Sequence, residues 1–342
     1  MPDRLLEVSD LSTHFFTHAG VVKAVNGVSF TLDRGKTLGI VGESGSGKTV
    51  AALSIMRLVP DPPGKVVAGS VYLKDRDLLA LDDDDMREVR GNDIAMIFQD
   101  PMTSLNPVFK VGTQIAETIV QHQGKSKDEA WDMAVELLDK VGIPDAKQRV
   151  TQYPFEFSGG MRQRAMIAMA ISCNPDILIA DEPTTALDVT IQAQIIDVVT
   201  EMQAQYDSGV IVITHDLGVV AQMADDVMVM YGGRTVEYGP VDEVFYNPHQ
   251  PYTWGLLGSL PRLDESEKQR LTPIKGQPPN LLLLPNGCPF SGRCPYEMPV
   301  CSKEFPELEI VGPGHGVHCW IPIDKRYEIR ESLPRFIGGH AS

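Results

Sequence analysis

The residues best suited to chemistry lie in a glycine-rich stretch, residues 40–49, which reads Ile-Val-Gly-Glu-Ser-Gly-Ser-Gly-Lys-Thr. It fills every fixed position of G-x-x-x-x-G-K-[ST], a pattern that binds phosphate groups. Its glycines allow the tight turns that point consecutive N–H groups into one concavity, and a following helix adds its positive N-terminal end. In such a loop Lys48 reaches the β- and γ-phosphates and the Thr49 hydroxyl ligates Mg²⁺. The residues expected to contact a nucleotide are Gly42, Ser44, Gly45, Ser46, Gly47, Lys48, Thr49 and Val50.

Two adjacent carboxylates, Asp181 and Glu182, end a second apolar run that begins at Ile177. Asp181 is suited to hold Mg²⁺, and Glu182 to orient or deprotonate a water molecule. A strand that ends in Asp-Glu is common by itself. Its combination with the phosphate-binding loop predicts hydrolysis of a nucleoside triphosphate.

Three further side chains can be interpreted either as functional groups or as residues with a purely structural role. Gln99 ends the strand Ile94–Phe98 and can contact Mg²⁺ or the attacking water, or simply be a polar strand end. His215 follows the strand Val210–Thr214 and can bond a γ-phosphate, or be the neighbour of a helix cap. Phe15 lies about thirty residues before the loop and can stack on an adenine ring, or belong to the core.

A second helix start is suited to bind an anion. Ser158-Gly159-Gly160 opens a predicted helix, Met161–Ser172. The free N–H groups at such a start favour phosphate oxygens. One chain with two phosphate-binding helix starts predicts a dimer in which each subunit completes the other's site.

The elements around these motifs predict an α/β fold. A buried strand, Thr37–Val41, precedes the phosphate-binding loop, and an apolar helix through Met56 follows it. Two helical patterns, Val111–His122 and Lys127–Val141, have no strand between them, so we expect a helical insertion there.

β-Structure is predicted near both ends of this region. The N-terminal residues indicate short strands at Leu5–Val8, Val21–Val25 and Val28–Leu32. Phe15 and Phe16 are predicted to lie in the turn between the first two strands. Residues 227–238 predict a hairpin around Gly232-Gly233. Beyond a helix expected through Leu260, the tail is rich in Pro, Gly and Cys and short of regular apolar periodicity.

Bulk properties exclude some functions. The chain has 342 residues, enough for one large α/β domain with an appendage or for two domains. Its net charge of −16 argues against binding nucleic acid, because no basic stripe offsets repulsion from phosphates. We also expect no signal peptide and no membrane span, so the chain is predicted to be cytosolic and to need partner subunits for work at a membrane.

Four of the five cysteines, Cys288, Cys294, Cys301 and Cys319, fall near the end with the spacing C-x₅-C-x₆-C-x₁₇-C. In a reducing compartment such a set favours a metal site over disulfides. Structural zinc sites use closer pairs, whereas a proline after a ligand cysteine recurs at iron–sulfur sites. The sequence therefore predicts a [4Fe–4S] cluster, with Zn²⁺ or no metal as the alternatives. The fifth, Cys173, is interpreted as a small buried apolar residue.

In order and spacing, these motifs resemble those of ABC-type nucleotide-binding subunits over residues 3–260. The tail segments Asn247–Thr253, Ile274–Pro279, Cys288-Pro289-Phe290 and Arg293-Cys294-Pro295 resemble the C-terminal extension of oligopeptide/dipeptide (Opp/Dpp) importer ATPases. The resemblance implies a P-loop NTPase fold of ABC type, an α/β RecA-like core with an antiparallel β-subdomain and a helical insertion. It also implies an ATPase domain at residues 1–255, with its helical subdomain at about residues 100–172. A cysteine-containing extension follows at 256–342.

The resemblance also assigns roles to single residues. Phe15 corresponds to the adenine-stacking aromatic, Gln99 to the Q-loop, Asp181 to Walker B and Glu182 to the catalytic base. His215 corresponds to the switch histidine and Asp188 to the D-loop. Ser158, Gly159 and Gly160 correspond to the signature that caps the partner's ATP. The usual Leu-Ser-Gly-Gly-Gln is replaced here by Phe157-Ser158-Gly159-Gly160-Met161.

The implied function is ATP hydrolysis with Mg²⁺ that powers import of di- or oligopeptides, through closure and opening of an ATPase dimer. The implied partners are a second homologous ATPase, two transmembrane permeases and an extracytoplasmic peptide-binding protein, at the cytoplasmic face of the membrane. The alternatives are an importer of nickel or another small solute, an exporter, a non-transport ABC ATPase, and a redox- or metal-sensing regulatory subunit.

Overall fold

The structure is a computed structural model that describes residues 3–100, 104–184, 188–259 and 274–333. Its strands are β1 (Arg4–Thr17), β2 (Gly20–Asp33), β3 (Thr37–Val41), β4 (Gly64–Leu73), β5 (Arg76–Asp77), β6 (Ile94–Ile97), β7 (Ile177–Asp181), β8 (Gly209–Ile213), β9 (Asp226–Tyr231), β10 (Arg234–Pro240), β11 (Glu309–Gly312) and β12 (His315–Val317). Its α-helices are Lys48–Ile55, Asp83–Val89, Val111–Gln123, Lys127–Lys140, Ala146–Arg149, Gly159–Ile171, Val189–Tyr206, Leu217–Met223, Val241–Tyr246, Pro251–Gly258 and Ile323–Ser332.

Strands β1 and β2 are much longer than their apolar runs. They belong to a four-stranded sheet in the order β2-β1-β4-β5. The predicted turn at Phe15 and Phe16 was therefore wrong, because both residues lie inside β1. Backbone pairing continues past the apolar pattern, since the Phe16 N–H donates to the Pro63 carbonyl at 2.8 Å.

The chain divides into two compact units, of which the first comprises Met1–Glu7, Thr31–Thr37 and Val71–Thr214. Its strands β6, β7 and β8 are parallel, with β7 in the middle. Every residue of β7 is buried, which explains its uninterrupted apolar run before Asp181.

The helical insertion of this unit is confirmed. Its helices Val111–Gln123 and Lys127–Lys140 pack on each other and on the helix Gly159–Ile171. A capping box of Ser126 and Glu129 starts the second helix, because each residue's side chain bonds the other's backbone N–H.

The second unit comprises Val8–Phe30, Leu38–Ser70 and His215–Ser342. Its strands follow the order β11-β12-β10-β9-β3, in which β3 and β9 are parallel. The predicted hairpin of β9 and β10 is confirmed, and its turn glycines have positive φ, 55° at Gly232 and 79° at Gly233.

The tail is more regular than its composition predicted. Strand β12 pairs with β10 and with β11, and the helix Ile323–Ser332 follows. With three residues, β12 is too short to show apolar alternation, and its pairing with β10 makes it a strand. The predicted helix near Leu260 ends at Gly258, and Leu260 itself lies outside the described residues.

A buried carboxylate holds the start of the tail against β10. Glu237 is fully buried and accepts hydrogen bonds from the backbone N–H groups of His249, at 2.6 Å, and Gln250, at 3.2 Å. The Nε2 atom of His315 lies 2.9 Å from the same carboxylate. These hydrogen bonds satisfy a polar group that is costly to bury without partners.

Unfolding should depend on the protonation of His249. Burial, reinforced by the charges of His315, Arg326 and Arg330, lowers the pKa of His249 from 6.5 to about 4. Below pH 6.5 the unfolded chain therefore binds a proton that the folded chain does not. We expect His249 to reduce the free energy of unfolding by an amount on the order of 3 kcal/mol between pH 6.5 and pH 4.

Denaturant titration of His249→Gln against the parent chain measures this effect. The loss of stability between pH 7.5 and pH 4.5 should be smaller in His249→Gln. The control is His18→Gln, which alters an exposed histidine in the turn after β1. Equal pH dependence in His249→Gln and the parent would contradict the assignment.

Candidate nucleotide-binding and hydrolysis site

The phosphate-binding loop runs from the end of β3 to the helix Lys48–Ile55, as predicted. Gly42 and Gly47 have positive φ angles of 150° and 102°. A Cβ atom at Gly42 would lie 2.2 Å from the Met230 carbonyl oxygen, and one at Gly47 would lie 2.2 Å from that of Ala24. Only glycine fits at either position, because both neighbours are backbone atoms.

Polar groups of this loop suit an anionic ligand. The Lys48 ammonium is buried and donates to the carbonyl oxygens of Gly42, at 2.7 Å, and Glu43, at 3.0 Å. The buried Ser46 hydroxyl makes no hydrogen bond to the described residues. Space around Gly45 is open, since no atom lies within 4 Å of a Cβ built there. A cation, a buried hydroxyl and an open glycine turn fit a phosphate group.

The residues of the first unit that are predicted to act in hydrolysis lie at the end of β7. Asp181 is buried, and Glu182 follows it with φ of 49°, a left-handed conformation that is strained for a side-chain-bearing residue. The Glu182 N–H donates to the Ile213 carbonyl at 2.8 Å. The Nε2 atom of Gln99 donates to Glu182 Oε2 at 3.1 Å. The structure thus brings Gln99 and Glu182 together, where both can contact one water molecule.

The second predicted helix start has the expected form. Ser158 caps the helix Gly159–Ile171 by accepting a hydrogen bond from the Met161 N–H. A Cβ atom at Gly159 would meet nothing within 4 Å, so the helix start is open. Within this helix, the fully buried Gln163 donates to the Pro183 carbonyl at 2.5 Å. Gln163 was not among the predicted site residues, although a glutamine on an otherwise apolar, buried helix face is a signal that the sequence contains.

The remaining site residues have less specific surroundings. Asp188 caps the helix Val189–Tyr206 by accepting from the N–H groups of Thr190 and Ile191, so its D-loop role stays a prediction. His215 is exposed directly after β8. Phe15 is half-buried beside Gly64, and its adenine-stacking role also stays a prediction.

The four tail cysteines come together in space. Cys288, Cys294, Cys301 and Cys319 line one small cavity, and all are free thiols. Burial raises the pKa of Cys288 and Cys294 to about 12 and that of Cys319 to about 11. Among the described residues, however, no group of three or more His, Cys, Asp or Glu side chains is arranged to hold a metal ion. The iron–sulfur cluster therefore remains a prediction.

Comparison with known proteins decides the family. Residues 25–185 match the family described as ABC transporter, and residues 236–301 match the oligopeptide/dipeptide transporter C-terminal region. An oligopeptide transport ATP-binding protein of Bacillus subtilis is 54% identical, over 93% of this chain and 89% of its own. A dipeptide transport ATP-binding protein of the same organism is 53% identical, over 95% of this chain and 97% of its own. The chain belongs to the oligopeptide/dipeptide ABC transporter ATPases.

Solved structures agree with membership in the ABC ATPase family. A dimeric post-hydrolysis ATP-binding cassette, MJ0796 bound to ADP and Pi, is 25% identical with a TM-score of 0.63, covering 69% of this chain and 98% of that one. The protein cbiO1 of Clostridium perfringens, part of the ABC transporter complex cbiONQ, is 26% identical with a TM-score of 0.58, covering 72% of this chain and 92% of that one. Within the described residues, no helix of this ABC ATPase is long and apolar enough to cross a bilayer.

Gly47→Ala should weaken ATP binding by about tenfold or more, because the added Cβ meets the Ala24 carbonyl and displaces the loop. Titration with a fluorescent ATP analogue measures the change. The control is Gly124→Ala, which also replaces a glycine of positive φ, in this case 64°, but meets no atom within 4 Å. Unchanged affinity in Gly47→Ala would show that this loop does not bind the phosphates.

Proposed function

We propose that this ABC ATPase powers the import of di- or oligopeptides across a membrane. The observation that carries the proposal is an intact set of phosphate- and water-handling residues in a chain more than 50% identical to named peptide-transport ATPases. The same comparisons do not favour the nickel-importer, exporter, non-transport and regulatory alternatives.

The proposed roles follow the chemistry of each group. Lys48 neutralises the β- and γ-phosphates, and Glu182, oriented by Gln99, removes a proton from the attacking water. His215 contacts the γ-phosphate, and Phe15 stacks on the adenine. Thr49, Gln99 and Asp181 supply the oxygen ligands that a hard cation such as Mg²⁺ prefers.

We propose that the working form is a dimer. The open helix start at Ser158, Gly159 and Gly160 would cap an ATP bound by the partner's phosphate-binding loop, with Asp188 at the same interface. ATP then stabilises the closed dimer, and hydrolysis allows it to open. The partner in this dimer is a second, non-identical ATPase of the same family.

An exposed apolar patch supports docking to the permeases. Val108, Phe109 and Phe155 are 70%, 52% and 67% exposed. Phe155 stacks on Tyr153, with ring centroids 5.4 Å apart, and the Val111 N–H donates to the Gln152 carbonyl, which joins the two segments. We propose that this patch receives a short helix from one of the two membrane permeases at the cytoplasmic face, while an extracytoplasmic protein delivers the peptide.

Glu182→Gln should still bind ATP but hydrolyse it at least about 100-fold more slowly, because the amide cannot accept the water proton. Lys48→Ala should instead lose ATP affinity. Both are measured by nucleotide titration and by phosphate release with Mg²⁺. Near-normal turnover in Glu182→Gln would rule out Glu182 as the base. Normal ATP affinity in Lys48→Ala would show that the glycine-rich loop does not bind the phosphates.

We further propose that the four tail cysteines hold a [4Fe–4S] cluster, with Zn²⁺ as the alternative. The support is that four thiols line one cavity in a segment with little apolar core of its own. Because burial raises the pKa values of Cys288, Cys294 and Cys319, binding of a metal centre must displace protons from these thiols.

Anaerobic purification followed by iron, sulfide and zinc analysis tests this site. We expect about four irons and four sulfides per chain, in keeping with a cluster held by four thiolates. Cys301→Ser should lose them, whereas Cys173→Ser, a buried thiol elsewhere, should not. One zinc per chain without sulfide would show that the site binds zinc rather than a cluster. An unchanged metal content in Cys301→Ser would show that the four cysteines do not form a metal site.

A further inference from the structure

The phosphate-binding loop is bonded to the cysteine-containing tail through Glu43, a residue that the phosphate-binding pattern leaves unspecified. Arg293 donates to both carboxylate oxygens of Glu43, from Nη1 to Oε2 at 2.5 Å and from Nη2 to Oε1 at 3.1 Å. The backbone N–H of Glu43 donates to the Tyr252 hydroxyl at 2.7 Å. Two separate tail residues therefore hold the same residue of the loop.

Arg293 is held rigidly by its other contacts. Its side chain is only 8% exposed, and Nη1 also donates to the Tyr231 hydroxyl at 2.9 Å. The remaining donors bond the carbonyl oxygens of Ile274, Lys275 and Gly276, at distances of 3.3, 3.0 and 3.3 Å. Because every N–H group of this planar guanidinium is engaged in a hydrogen bond, the side chain is held in one position and fixes the Glu43 carboxylate.

Glu43 lies at the start of the loop, where the backbone conformation is set. Lys48 donates to the carbonyl of Glu43, and Tyr252 accepts from its N–H, so the peptide groups on both sides of Glu43 are fixed. The orientation of these peptides sets where the following N–H groups point. A loop that binds phosphate needs those N–H groups to converge before the ligand arrives.

The other end of this connection reaches the cysteines. Arg293 directly precedes Cys294, whose N–H donates to the Phe290 carbonyl at 3.0 Å. The Phe290 ring packs against Tyr231 and Tyr252, at centroid distances of 5.2 and 5.4 Å. Segment 288–294, the two tyrosines and Glu43 thus form one continuous set of contacts.

We propose that the tail is a positioning element of the nucleotide site, in which Arg293 and Tyr252 hold Glu43 and so preorganise the phosphate-binding loop. This inference rests on the proposed ATP site. By thermodynamic linkage, a tail that favours ATP binding must itself be stabilised when ATP binds. The tail and the loop are therefore coupled in both directions.

Nucleotide affinity of the full-length chain tests whether the tail favours ATP binding. Arg293→Gln and Glu43→Gln should each weaken binding of a fluorescent ATP analogue by about tenfold, within the range of such couplings. The double variant should resemble either single one, because both remove the same interaction. Tyr252→Phe, which removes only a hydroxyl, should weaken binding less.

The matched control is Arg330→Gln, a half-buried tail arginine that bonds Asn247 and not the loop. It should bind ATP normally. If Arg293→Gln and Tyr252→Phe both bound ATP as tightly as the parent, the proposal would be overturned.

Amide hydrogen exchange tests the reverse direction and separates positioning from mere structural support. In the parent chain, ATP should slow exchange in segment 288–294. In Glu43→Gln, saturating ATP should no longer protect that segment, although the nucleotide is bound. Protection that persists in Glu43→Gln would overturn the coupling.

The two proposals fail in different ways. If the parent chain binds no ATP, or Lys48→Ala binds it normally, the nucleotide site itself is wrong. If Lys48→Ala loses binding while Arg293→Gln and Glu43→Gln keep it, only the role of the tail is wrong.

Discussion

The second unit depends on a close approach of three backbone segments around the phosphate-binding loop. Gly42 lies against the carbonyl of Met230 in β9, and Gly47 against that of Ala24 in β2. A side chain at either glycine would force β9 or β2 away from the loop. The β9–β10 hairpin is held to the same place, since the Gly233 N–H donates to the Ser46 carbonyl at 2.9 Å. The loop is therefore a packing element of the fold, in addition to its proposed role in binding phosphate.

In the first unit, the fold concentrates reactive groups by ending buried strands at a common edge. Strands β6 and β7 are parallel neighbours, so Gln99, two residues after β6, and Glu182, one residue after β7, lie at the same edge. Glu182 has a left-handed backbone conformation, and its carboxylate accepts a hydrogen bond from the Gln99 amide. Gln163 ties the signature helix to the residue that follows Glu182, so the three motifs of this unit form one hydrogen-bonded group.

Features encoded locally could be predicted from the sequence. The phosphate-binding pattern, the apolar run of β7 and the helical period of 111–140 are properties of short segments, and each gave the correct element. Phe15 and Phe16 were misplaced because the pairing of β1 with its neighbours, rather than its own apolar alternation, determines its length. The bond from Arg293 to Glu43 joins residues 250 positions apart, and no local pattern encodes it.

The pairing of β12 with β10 has a consequence for how the chain can be divided. Residues 236–301 match the family's C-terminal region, yet β12 lies beyond them. A chain cut after residue 301 would leave β10 with an unpaired edge and deprive the buried Glu237 of His315. Exposed strand edges recruit other chains, so such a truncated protein would tend to aggregate. Strand β12 thus shields the edge of β10 from pairing with other chains.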